Sequence, residues 1–202
     1  MNAQQDRDRL MDRASGSYRS LVTYLEMHRP PAGGTPEPPR AGVRVERWTG
    51  PAVEDYVALF RRVGEPWLWH GRLEHGRDEI ARIIAAPDYE LWRLHDGHGV
   101  AGLGELDRSR PGEVEVMYFG LVPDRVGAGL GGFFLRSLVH AAWRDDVRRV
   151  WLHTCTEDHP GALGFYQHIG FHPYAEEVEW VHDPRLRGLL PRDAGPHVEI
   201  PE

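Results

Sequence analysis

The chain has 202 residues, 41% hydrophobic and 27% charged, a balance that supports one substantial core and excludes fibrous or low-complexity classes. Its net charge is −7, lysine is absent and no dense arginine block occurs, which argues against a nucleic-acid groove. No apolar run reaches the ~20 residues of a membrane span, no signal-like stretch opens the chain, and the single cysteine, Cys155, allows no internal disulfide, so a cytoplasmic protein without a membrane partner is expected.

Residues 1–17 are polar and charged. Ser20–Met27 (SLVTYLEM) is β-branched and aromatic, the pattern of a strand or a packed arm. The prolines and glycines of His28–Gly42 mark a linker, so residues 1–42 are expected to be an N-terminal arm and linker, with the compact domain starting at Val43. Val43–Trp48 alternates as a strand, and Val53–Val63 carries apolar residues at helical spacing. EPWLWHGR (Glu65–Arg72) is a tryptophan-rich turn, and Asp78–Ala86 is a short helix stopped by Pro87. Tyr89–His95, the turn DGHG and the following GVAGLGELD form a hairpin; SRPG turns again into the strand Glu113–Val122.

Gly129–Trp143 is a helix with Leu130, Phe133, Phe134, Leu138, Val139 and Ala142 inward. RRVWLHTCT is a strand, and HPGALGFYQHIGF contains a helix ending at Gly170. Two further extended segments end near His182, and 183–202 is a proline-containing tail with little core. The order β–α–α–β–β–β–α–β–α–β–β describes a mixed sheet in an α/β or α+β fold, with an antiparallel run feeding one β–α–β crossover.

Glycines 127, 129, 131 and 132 crowd the junction between a strand and a helix. A tight turn accounts for one or two of them. Gly127, Gly129 and Gly132 also fit the dinucleotide pattern G-x-G-x-x-G, but that fold needs several more β–α units than the single crossover that follows. A pyrophosphate cradle is the third reading. Unpaired N–H groups and the positive end of the helix dipole attract phosphate, and glycines let it approach the backbone.

The neighbouring residues resemble the GNAT superfamily of acyl-CoA-dependent N-acyltransferases. Its phosphate loop reads Arg/Gln-x-x-Gly-x-Gly/Ala after a strand ending in Val-x-Pro or a variant, matched here by Val122, Pro123, Gly127, Gly129 and Gly131. Its later motif, Asn-x-x-Ala-x-x-x-Tyr-x-x-x-Gly-Phe, is matched at His159, Ala162, Tyr166, Gly170 and Phe171. The resemblance covers about Val43 to His182 and implies a central, mostly antiparallel sheet of about six to seven strands flanked by helices. Two positions depart from the pattern. Val126 replaces the loop Arg/Gln, with Arg125 one place early, and His159 replaces the Asn. The pyrophosphate would then rely on backbone amides or on Arg125 reaching in.

The resemblance implies acetyl-CoA as co-substrate, held by Phe119, Gly120, Leu121, Val122, Arg125, Gly127, Ala128, Gly129, Leu130, Gly131, Gly132 and His159. Acyl transfer to an amine requires removal of a proton from the amine, a donor to the developing oxyanion, and a way to tolerate the departing thiolate. EVMYFGLV resembles the strand of histone-acetylating members whose first glutamate is the base, which assigns Glu115 that role, directly or through a water. A backbone N–H within Phe119–Val122 is the expected oxyanion donor, and Tyr166 is the expected donor to the thiolate. The competing readings are an outward strand carboxylate for Glu115 and a core aromatic for Tyr166.

Trp67 and Trp69 fall in the region the family uses to cover the acceptor, and His153 on the neighbouring strand is a further candidate for the cleft. Twelve histidines raise a metal, with His153, His159, Glu157 and Asp158 the best cluster, but no zinc-type spacing is present and no metal is expected. The acidic balance and the aromatic pair suit a small molecule bearing a primary amine. The expectation is an N-acetyltransferase acting in a ternary complex, with a homodimer compatible and no nucleic-acid partner. A protein N-terminal or lysine acetyltransferase, a non-catalytic acyl-CoA sensor of the same fold, and a nucleotide-dependent oxidoreductase are the alternatives.

Overall fold

The computed structural model describes residues 11–144 and 146–202. β1 is Met11–Asp12, β2 Ser17–Met27 and β3 Val43–Arg47; helices α1 (Val53–Gly64) and α2 (Arg77–Ile84) precede strands β4 (Tyr89–Asp96), β5 (Val100–Asp107) and β6 (Glu113–Leu121). Helix α3 (Gly131–Ala142), strand β7 (Arg149–Cys155), helix α4 (Ala162–Ile169) and strand β8 (His172–His182) follow. The strands form one open mixed sheet in the order β3-β4-β5-β6-β7-β2-β8, antiparallel except for β6 with β7. The two-residue β1 lies beside the start of β2.

Both faces of the sheet carry helices because both carry apolar side chains. On α1, Val53, Tyr56, Phe60 and Val63 form a stripe at helical spacing. The stripe packs with Ile80 and Ile84 of α2 onto Tyr89, Leu91 and Leu103. The opposite face presents Leu94, Ala101, Leu106, Val114 and Val116 to Phe134, Leu135 and Leu138 of α3. Gly104 permits that approach, since a Cβ there would lie 2.4 Å from Leu138 Cδ1.

Between β6 and β7 the chain makes its one parallel pairing, with α3 as the crossover. It spans three residue pairs, Glu113–Arg149, Val114–Val150 and Glu115–Trp151. Beyond Glu115 the strands part. The β5–β6 register shifts at the same place, with Glu105 opposite Tyr118 and Leu106 opposite Val116, so Met117 has no partner. Such a bulge bends and twists its strand, and here it carries the end of β6 away from β7.

Ser17–Met27, expected outside the compact domain, is hydrogen-bonded on both edges, to β7 through Val22–Met27 and to β8 through Ser17–Glu26. Its Leu25 and Met27 sit in the α3-side core. The linker after it contains no helix or strand, as its prolines and glycines suggest, and carries the chain to the opposite edge of the sheet. The two extended segments expected after α4 are one strand, β8, interrupted only by a bulge at Tyr174. The tail is stitched down by polar contacts: Arg185 Nη2 donates to Asp183 Oδ2 at 2.6 Å, and its Nη1 donates to the carbonyls of Ala194 and Val198. Leu190 and Ala194 then pack with Tyr18 and with Leu68 of the tryptophan turn.

The turn Glu65–Arg72 is anchored from below. Arg72 reaches the fully buried carboxylate of Glu105 at 3.2 Å, and that carboxylate also accepts from the hydroxyls of Tyr56, at 2.8 Å, and Tyr89. The guanidinium lies against the rings of Tyr89 and Tyr118. Removing one partner of a buried pair leaves the other charge uncompensated. Arg72→Leu should therefore lower the unfolding free energy by about 3 kcal/mol in urea denaturation, and Arg72→Leu with Glu105→Leu should recover part of the loss. Equal stability of the single variant and the parent would show the pair to be dispensable.

Candidate active site

The junction of β6 and α3 assigns the glycines different tasks. Gly127 and Gly129 have φ of +79° and +73°, where side chains are strained. A Cβ on Gly127, Gly129 or Gly132 would meet nothing within 4 Å, so these positions border open space. Among the described residues, no backbone carbonyl accepts from the N–H groups of residues 129–133. Bare backbone, free amides and the start of a twelve-residue helix coincide there, the arrangement that binds anions.

Arg125 does not join this cradle. Its guanidinium is taken by Asp96, at the end of β4, and by Asp124 at 2.7 Å. The contact holds the Asp96 carboxyl down at about 2. Of the other expected loop residues, Leu130 is buried in the core, Ala128 is outside the cleft and its N–H bonds the Arg125 carbonyl, and Val122 packs on the α1 side.

From the glycines a cleft of about 430 Å³ runs along the parted edge of β6. Val122 N–H donates to Ala101 in β5, so it is not available to the cleft. Because backbone groups alternate along a strand, the N–H and C=O groups of Phe119 and Leu121 point toward the gap left by β7, and those of Gly120 toward β5. The expected donor within Phe119–Val122 is thereby narrowed to Phe119 and Leu121. Phe119 stacks on Phe165 at 6.0 Å, and Tyr166 closes the inner end of the cleft.

A second recess of about 100 Å³ adjoins the first and shares Trp69, Phe119, Asp158 and Tyr166 with it. His153 lines this recess; Glu115 does not. The Glu115 side chain is 11% exposed and its Oε1 lies 3.3 Å from His153 Nδ1, whereas the His153 side chain is 40% exposed. The carboxylate beside it raises the His153 pKa. Burial raises that of Tyr166, keeping its hydroxyl protonated.

Trp67 and Trp69 form different walls. Leu68 between them sits in the left-handed region at φ 57°, the one non-glycine residue to do so among those described, and this turns the two indoles apart. Trp69 is wedged inward against Phe60 and Tyr118, over Gly64 and Gly120, where a Cβ would come within 2.5 Å of Trp69 and of Val63 respectively. Trp67 lies between the rings of His159 and His197, at 5.4 and 5.6 Å. His159 reaches the cleft from the turn before α4, where its Nδ1 accepts from Gly161 N–H.

Among the described residues, no three of His153, His159, Glu157 and Asp158 come together as a metal-holding group. Glu157 bonds Ser20, and Asp158 accepts from Thr154 and from Cys155 N–H. Phe165, Tyr118 and His197 carry no assignment from the sequence, and Asp158 is named there only for a metal cluster, not for the cleft. Phe165 adjoins the recognisable Tyr166, but His197 comes from the tail and carries no local signal.

The acetyltransferase (GNAT) family model matches residues 54–171. No curated protein sequence matches the chain. Among solved structures it resembles a GCN5-related N-acetyltransferase from Sphaerobacter thermophilus, with TM-score 0.59, 19% identity, and coverage of 81% of this chain and 51% of that one. A GCN5-related N-acetyltransferase from Kribbella flavida gives TM-score 0.56 and 20% identity over 86% of this chain and 63% of that one. A tandem GNAT protein from the clavulanic acid biosynthesis pathway gives TM-score 0.56 and 21% identity over 80% and 52%. The chain thus spans between half and two thirds of the length of these three structures.

The two indoles should separate by their effect on stability. Trp69→Ala empties a packed site and should cost about 3 kcal/mol, while Trp67→Ala should cost under about 1 kcal/mol. Urea denaturation measures both. Equal costs would mean that the two walls are packed alike.

Proposed function

This chain belongs to the acetyltransferase (GNAT) family, and we propose that it is an N-acetyltransferase that moves the acetyl group of acetyl-CoA to the primary amine of a small molecule by direct attack in a ternary complex. The observation that carries this reading is the junction of two recesses at Tyr166: one leads to the glycine cradle, the other to His153. Two substrates can meet there without a covalent enzyme intermediate.

The cradle fits a pyrophosphate, because its glycines leave room that side chains would fill and the amides of residues 129–133 have no backbone acceptor among the described residues. The edge of β6 at Phe119 and Leu121 offers N–H and C=O groups to the amide-bearing arm of the co-substrate. Acetyl-CoA supplies an activated acyl group as a thioester. One of those two N–H groups serves as donor to the acyl oxygen as it gains charge. As the N–C bond forms and the C–S bond breaks, Tyr166 gives its hydroxyl proton to the sulfur and recovers one from solvent. The amine loses its proton on the Glu115–His153 side.

The acceptor recess is small and aromatic, which supports an aminoalkyl group on a compact molecule over a folded protein surface. Trp67, Trp69 and the carboxylate of Asp158 border it or the adjoining cleft, a setting that favours a cation; an ammonium over an indole gains ~0.5–2 kcal/mol. A cytoplasmic setting belongs to the same reading.

Acetyl-CoA should raise the melting temperature by mass action, with NADH and ATP doing much less. Gly129→Val should remove that rise in a folded protein, because a branched side chain is strained at this φ and fills the cradle. Arg125→Gln should leave it nearly intact, since the guanidinium is held elsewhere. A rise of equal size with NADH would reverse the assignment.

In an amine panel read by release of free thiol, at least one small primary amine should turn over. Tyr166→Phe should lower kcat by ~10²-fold with little change in acetyl-CoA affinity. Unchanged kcat in this variant would remove Tyr166 from the mechanism.

A further inference from the structure

The acyl-transfer reading leaves open which group receives the amine proton. Glu115 holds the position suggested by the sequence, but it is enclosed. It borders neither recess, and its Oε1 faces His153 Nδ1. His153 stands between that carboxylate and the recess that opens beside Tyr166. Nδ1 lies 3.3 Å from Glu115 Oε1, and Nε2 has no hydrogen-bond partner among the described residues. An acceptor nitrogen in the recess therefore meets the His153 imidazole before it can meet the Glu115 carboxylate.

We propose that His153 is the catalytic base, taking the amine proton on Nε2, and that Glu115 is a positioning residue that acts through Nδ1. The proposal rests on the acyl-transfer reading above. Neutral His153 with its proton on Nδ1 donates to Glu115 and keeps the Nε2 lone pair toward the amine. The amine nitrogen forms its bond to the acyl carbon, the C–S bond breaks, and the nitrogen's surplus proton passes to Nε2. The imidazolium is then stabilised by Glu115 and returns the proton to solvent, while the sulfur is protonated from Tyr166. The same division of labour, a buried acid orienting an imidazole and favouring its charged form, operates in hydrolase triads.

The surroundings of His153 make the proposal specific in its pH dependence. From β6 it faces Glu115 and Tyr118, from β2 Tyr24 at 6.0 Å between rings, and from β8 Glu179. The turn after β7 brings Asp158, β7 itself Cys155, α4 Tyr166 and the covering turn Trp69. The charged members, Glu115, Asp158 and Glu179, are carboxylates, and each favours the imidazolium. The sign follows. A base must be neutral, so kcat climbs as pH rises through the His153 pKa, and that climb lies above the ordinary histidine value. Removing the Glu115 charge lowers the pKa and moves the climb to lower pH.

The test compares Glu115→Gln and His153→Gln by pH–rate profile with an accepted amine, alongside NMR titration of the His153 ring protons in the free protein. Glu115→Gln should keep measurable turnover, shift the acid limb of kcat/KM to lower pH and lower the His153 titration midpoint in the same direction. His153→Gln should lower kcat by ~10²–10⁴-fold and erase the limb, while stabilisation by acetyl-CoA persists. Near-parental kcat in His153→Gln overturns the proposal and leaves the acyl-transfer reading in place. So does loss of turnover confined to Glu115→Gln, or a His153 midpoint unmoved by that substitution. Failure of the parent protein to acetylate any amine overturns both.

Discussion

The site depends on a pairing that stops. Three residue pairs join β6 to β7, and after Glu115 and Trp151 the strands separate. Parallel strands need a crossover, and α3 supplies it, so its N-terminus is brought to the far end of the parted edge. The bulge at Met117 helps β6 diverge. From this one interruption follow the free backbone groups of Phe119 and Leu121, the cleft leading to the glycines, and the recess that exposes His153. Had the pairing continued past Glu115, those backbone groups would have been satisfied by β7 and neither the cleft nor the recess would exist.

An opened sheet must be kept open and still be covered, and polar anchors do both. Glu105, Arg72, Tyr56 and Tyr89 form a buried network beneath the tryptophan turn, next to Tyr118 of the parted strand. Asp183 and Arg185 perform a similar service for the tail, which bears on Leu68 from the other side. The left-handed conformation of Leu68 costs roughly 1–2 kcal/mol for an ordinary residue and is sustained by these contacts on either side. In return Trp67 and Trp69 serve two walls instead of one.

The parts of this arrangement visible in the sequence are those written in local chemistry. The glycines announce a bare helix start, Tyr166 falls at a recognisable spacing, and apolar periodicity yields the helices and most strands. What stayed hidden involves partners far apart in the chain. Ser20–Met27 is strand-like in sequence, but nothing local says that the strand begins at Ser17 or lies between β7 and β8. The tail lacks an apolar pattern because arginine–carbonyl bonds hold it. Arg125 looks suited to a phosphate until Asp96, from a separate hairpin, is found holding it. Glu115 was legible as a carboxylate on the strand before the glycines, but its enclosure behind His153 depends on the spacing of two strands.

The donor and acceptor sides of the site are built from different kinds of structure. The cradle, the edge of β6 and Tyr166 belong to sheet and helix, whose positions are set by the core, and all lie within the region matched to the family. The acceptor side is bounded by a turn and by His197, which lies in the tail beyond that region. Trp67 is where the two meet, with His159 of the donor side on one flank and His197 of the tail on the other. A rigid donor site suits a co-substrate common to a whole family, whereas covering segments can change in sequence without disturbing the core. Membership of the family speaks to the side of the cleft built on the core, while on the proposed reading the choice of amine would reside in Trp67, Trp69, His153 and the tail that holds His197 against Trp67.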